Sequence, residues 1–167
     1  MVEKDNIIKE TVKYGGLGDF KSTYQYSRRW LDEEGYTVIE DKYSEKLSGN
    51  SKEIEIEWTA SKKLTDYYKS TLKFKWRILG MTDVEVEADG KRKNMNKFVE
   101  LGIEIKGILE KDYENKWEPA PFQKFLKDIY QKYVVVERTR EKENHVRDTV
   151  QSFKEEMKAF LELTGRK

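Results

Sequence analysis

The sequence predicts an α+β protein: an antiparallel β-meander of four to six strands, with an N-terminal helix and two C-terminal helices covering one face. Three observations lead there. From Tyr36 to about Leu109 the chain alternates apolar and polar residues with period two. Short Gly, Asn and Asp turns separate the alternating runs, which marks hairpins rather than long parallel crossovers. Segments of helical periodicity bracket the stretch on both sides, and they are the available cover for its apolar face.

Residues 1–14 mix charges with Ile7, Ile8 and Val12, a pattern that fits a short helix and an edge strand equally. Gly15, Gly16 and Gly18 then break the chain and turn it into the first helix. Asp19 stands at an N-cap position, and Phe20, Tyr24, Ser27 and Leu31 follow at helical spacing. Gly35 ends that run, so a helix is predicted over Phe20–Glu34. Tyr36, Val38 and Tyr43 begin the first strand of the meander, and Ser48-Gly49-Asn50-Ser51 is a turn. Ile54, Ile56, Trp58 and Ala60 alternate with Glu53, Glu55, Glu57 and Thr59. Leu72, Phe74, Trp76 and Ile78 alternate with Thr71, Lys73, Lys75 and Arg77, with Lys69 upstream. Val84, Val86 and Ala88 give a further strand, Asp89-Gly90 a hairpin turn, and Val99, Leu101, Ile103, Ile105 and Gly107 a last one.

Pro119 and Pro121 mark the exit from the sheet. Phe122, Phe125, Leu126, Ile129, Tyr130 and Tyr133 place an amphipathic helix over 121–134. Val146, Val150, Phe153, Met157 and Phe160 recur four and three apart, a short heptad seam on a long C-terminal helix. The expected organisation is thus an α+β domain over 1–136, with the helix over 137–167 packed on it.

The 33 basic and 32 acidic residues leave a net charge of +1, which argues against a protein gripping nucleic acid over its whole surface. Charged residues make up 39% of the chain and are interleaved in sign, as on a solvated, salt-bridged surface. The absence of cysteine excludes disulfides, thiolate catalysis and Cys-based metal sites. The single histidine, His145, reads as an exposed helix residue; no second one exists to build a His-based metal site or to serve a triad. Asp112 and Glu114 near Trp117 read as a polar turn, and the glycine run is neither a phosphate loop nor a dinucleotide fingerprint. No catalytic residue, metal ligand or cofactor is therefore expected. With no apolar leader and no stretch of membrane-spanning length, the expected location is the cytoplasm. The Lys/Glu-rich composition leans towards a thermophile.

What the sequence offers instead are contact surfaces. Lys91, Arg92, Lys93 and Lys97 put cations on one hairpin, where they could contact phosphates or acidic lipid headgroups; the alternative is a solubilising turn paired with Glu85 and Glu87 across the hairpin. Arg28-Arg29 is a lesser candidate. The glutamates of one strand and the lysines of the next are expected to face each other across the sheet, which removes most of the case for a basic groove there. The seam Val146, Val150, Phe153, Met157 and Phe160 either covers the chain's own sheet or pairs with a protein partner or a second copy. The expected function is a non-enzymatic binding or interaction module, a component of a larger assembly. The alternatives are nucleic-acid binding by the basic hairpin and carriage of an apolar ligand between sheet and helix.

The run Trp117-Glu118-Pro119-Ala120-Pro121-Phe122, then Lys124-Phe125-Leu126, Ile129-Tyr130 and Met157-Lys158-Ala159-Phe160-Leu161, with the segment around Lys93–Asn96, resembles a family of conserved archaeal proteins of unassigned function. The resemblance implies an archaeal origin and a cytoplasmic setting, and brings no site residues with it. In outline, a curved sheet followed by a long helix also resembles helix-grip lipid-binding folds, an analogy of fold alone.

Overall fold

A computed structural model describes residues 3–111 and 136–165. The predicted helix over 121–134, the Asp112–Trp117 turn and most of the residues that carry the archaeal resemblance lie outside them. The described elements run β1 (Glu3–Gly18), α1 (Phe20–Glu33), β2 (Thr37–Ser48), β3 (Ser51–Lys63), β4 (Tyr68–Ala88), β5 (Lys91–Lys111) and α2 (Val136–Gly165). The strands form one antiparallel sheet in the order β1-β5-β4-β3-β2. This is the α+β class expected, with five strands and, among the described residues, two helices. No described helix is long and apolar enough to cross a membrane.

The meander spans β2 to β5, and β1 joins its far edge beside β5. Residues 1–14 therefore resolve as an edge strand, and α1 crosses the sheet from one edge to the other. The glycine run does not break the chain before α1, as expected; it belongs to β1, where the register shifts between Tyr14 and Gly16. Asp19 caps α1 as its spacing predicted, accepting from Ser22 N at 3.2 Å and Ser22 Oγ at 2.9 Å. Asn96 on β5 adds a second acceptor, its Oδ1 taking the Phe20 N–H at 2.9 Å, while its own amide donates to Asp83 at 2.7 Å. At the other end Gly35 N–H reaches Asp32 O and Tyr36 N–H reaches Leu31 O, the paired bonds of a Schellman ending.

Both hairpin turns form where the sequence placed them. Asp89 and Gly90 have φ of 54° and 75°, so both centres of that turn are left-handed, as in a type I′ hairpin. The two runs Leu72–Ile78 and Val84–Ala88, read as separate strands, belong to one continuous β4 of 21 residues. Gly80 kinks it with φ of 60°, and a Cβ there would lie 2.5 Å from Val99 Cγ2. The kink breaks the alternation in both strands at once. Val99, expected on the apolar face, is 76% exposed, and Phe98 is buried in its stead.

Both described helices lie on one face of the sheet. Trp58, Trp76, Phe74, Phe153 and Leu31 are its largest buried side chains. Tyr24 of α1 meets Trp58 edge-on at 5.1 Å between centroids, and Phe153 of α2 meets Phe74 at 4.8 Å and Trp30 at 5.5 Å. Val146 and Val150 sit over Gly107, which has no side chain to hold the helix away. Among the described residues, these aromatic contacts pack the helices onto the sheet.

Candidate functional site

The helical seam lies in this core. Val146, Val150, Phe153 and Met157 are each 0% exposed and packed against the chain's own sheet. The fifth seam residue is Leu161 rather than Phe160: one step of four residues beyond Met157 keeps Leu161 on the sheet at 0% exposure. Phe160 turns aside to stack on Tyr26 of α1 at 4.3 Å. Tyr26 also donates to Glu156 at 2.9 Å, tying the two helices.

Lys91, Arg92, Lys93 and Lys97 are all exposed, as a phosphate-contacting tip would need. The facing strand carries Asp83, Glu85 and Glu87, with Asp89 in the turn itself; Arg92 lies opposite Glu87 and 3.9 Å from the Glu85 carboxylate. The tip is therefore close to neutral. Arg28 is held as well, stacked 5.6 Å above the Trp58 ring and donating to the Tyr24 hydroxyl at 3.3 Å. His145 is half-buried rather than exposed, and its Nε2 has no hydrogen-bond partner among the described residues. Burial, reinforced by Lys62 and Lys142, pushes its imidazole below the usual histidine range. Among the described residues no cluster of three groups fit to hold a metal ion occurs.

The outer face of the sheet departs most from expectation. Between β3 and β4 the opposition of charges holds in register: Glu55 faces Arg77 and Glu57 faces Lys75. The close ion pair of Glu55, however, is with Lys42 of β2 at 3.1 Å, which holds its carboxyl below the usual range. Lys73 faces Thr59, and Thr59 donates to Asp41 at 2.5 Å. On the other side of β4 lies an arrangement that alternation alone does not reveal. There Lys73 sits opposite Lys106 of β5, and Lys106 sits opposite Lys9 of β1. One step along the face Lys75 flanks Glu104, and a second step on Lys13 and Arg77 flank Gly102.

Across β1, β5 and β4 the face thus gathers Lys9, Lys13, Lys73, Lys75, Arg77 and Lys106 against Glu100 and Glu104. Lys9 reaches Glu104 at 3.7 Å with both side chains well exposed. Among the described residues, none of Lys73, Lys75, Arg77 and Lys106 has a carboxylate within 4.0 Å. A shallow groove of about 300 Å³ lies over Lys73, Lys75, Lys106 and Glu104, bounded on the β3 and β2 side by Asp41, Glu57 and Thr59. Towards the Lys111 end the charges balance again: Glu110 accepts from Thr71 at 2.9 Å and lies 3.4 Å from Lys4.

The free edge β2 carries Ile39 and Leu47, 58% and 71% exposed, but they do not form a patch. The register shift between Glu40 and Lys42 throws them to opposite faces, and a bulge amid charged residues is how an edge strand resists further pairing.

In comparison with protein-family models, curated proteins and solved structures, the chain matches none of them.

Proposed function

We propose that this chain is a non-enzymatic binding module that engages nucleic acid through the outer face of its sheet. The observation that carries the reading is the cationic strip on β1, β5 and β4, of which Lys73, Lys75, Arg77 and Lys106 have no carboxylate within 4.0 Å among the described residues, while Lys9 pairs with Glu104 at 3.7 Å. Elsewhere on the face the chain sets acids near its bases, so the strip is a local excess within a chain of net charge +1. The paired sheet fixes the spacing of the backbone positions that carry these cations, so no backbone ordering is needed when an anion arrives. They neutralise phosphates without reading bases, so the affinity is set by counterion release.

The test is fluorescence anisotropy of a labelled DNA duplex against the purified chain over a range of salt. A strip that meets three or four phosphates gives a log–log slope of roughly −3 to −4, at about −0.9 per phosphate. Absence of binding at about 50 mM salt, where such contacts are strong, contradicts the proposal. So does binding that ignores salt.

A further inference from the structure

We infer that Lys9, Lys106 and Lys73 form a phosphate-binding row for the backbone of a nucleic-acid duplex. This rests on the reading just proposed and names the site and the form of the ligand. Register sets the three lysines directly opposite one another on adjacent strands. Neighbouring strands lie about 4.8 Å apart, so the row spans roughly 10 Å. That width falls between those of the two grooves of a duplex, about 6 and 12 Å, and the flexible lysine stems adapt to either. Like charges directly opposite destabilise a ladder, and here the repulsion acts twice along one row. Bridging phosphates reverse it, because each oxygen accepts from a different ammonium.

The surroundings select the form of the ligand. A single strand is gripped by aromatic rings on which its bases stack. Among the described residues, the outward positions of β1, β3, β4 and β5 around the row carry Lys, Arg, Glu, Thr, Ser, Gly and Ile108, with no ring; the aromatic side chains Trp58, Phe74 and Trp76 are buried beneath the helices. The row therefore contacts backbone and leaves bases alone, as a duplex requires. Glu53, Glu55 and Glu57 line β3 beside it. They keep the polyanion over β1, β5 and β4 and give it one edge to follow.

Two variants in duplex-binding titrations test this. Lys9→Gln/Lys73→Gln/Lys106→Gln removes the row and its repulsion together with the exposed Lys9–Glu104 pair, so its melting temperature stays close to that of the parent. Its salt slope falls by about 2 to 3, near 0.9 per lysine, and binding at low salt weakens at least about tenfold. Lys91→Gln/Arg92→Gln/Lys93→Gln, which alters the hairpin tip, leaves affinity within about twofold. If the parent binds duplex and the row variant keeps its slope and affinity, the row is wrong while binding as such stands. If the parent binds a single strand more tightly than the duplex, the assignment to a duplex is wrong. If the parent binds neither, the reading beneath the row fails with it.

Discussion

Replacing Phe153 by alanine separates a core seam from a partner surface. The ring is 0% exposed and meets Phe74 at 4.8 Å and Trp30 at 5.5 Å between centroids. An aromatic side chain buries roughly 150–250 Å², which at about 25 cal/mol per Å² gives an upper bound near 4–6 kcal/mol. Measured Phe→Ala changes in cores cost about 3–5 kcal/mol, since the cavity collapses only in part. For a chain of this size that lowers the melting temperature by roughly 6–20 °C. Phe160→Ala is the control: the ring is half-buried and stacked on Tyr26, and its loss costs about 1 kcal/mol. Chemical denaturation followed by tryptophan fluorescence reads both, with Trp58 and Trp76 reporting from the core. The packing account fails if Phe153→Ala costs less than about 1 kcal/mol. It also fails if the loss scales with protein concentration, as loss of an interface between copies would.

Other perturbations follow from single contacts. Gly107→Ala places a Cβ 2.8 Å from Val146 and 3.0 Å from Val150, two stiff β-branched side chains, and thermal melts should show a loss of about 1–3 kcal/mol. Asp19→Ala removes the cap of α1 and should cost about 1 kcal/mol in denaturant titrations. His145 is held below its unfolded pKa by burial first and by Lys62 and Lys142 second, so the unfolded chain takes up its proton before the folded one does. Its contribution to stability is present above the unfolded pKa, near 6.5, and is lost as pH falls from there towards the lower folded value. Stability measured across that window should fall less steeply in His145→Asn than in the parent. Glu57→Lys, which removes an acid from the edge of the cationic strip, should tighten duplex binding in the anisotropy titration.

How far the sequence spoke depended on how local the determinant was. The cap at Asp19, the Schellman ending at Gly35 and the turn at Asp89-Gly90 rest on a few neighbouring residues, and each formed where it was expected. Strict alternation placed Ile54–Ala60 and Leu72–Ile78 on the buried face without error. The misreadings came where partners are distant in sequence. Nothing in residues 3–18 shows that they pair with β5 some ninety residues later, so the glycines looked like a break. The fusion of two apparent strands into β4 turns on Gly80 and Val99 making room for one another. Phe160 and Leu161 fit the heptad equally until α1 supplies Tyr26 as a neighbour. The lysine row was invisible for the same reason: Lys9, Lys73 and Lys106 are ordinary outward positions singly, and only the register of three strands sets them in line. Reading adjacent strands alone suggested neutral ladders, because the β3–β4 pairing does oppose charges.

The most direct test of the central claim is an amide chemical-shift titration of isotopically labelled protein with a DNA duplex at low salt. The account predicts that the largest shifts fall on Lys9, Lys13, Lys73, Lys75 and Lys106, with α1 and α2 little changed. Shifts centred on Lys91–Lys97 or on the helices, or a spectrum that does not move at all, would contradict it.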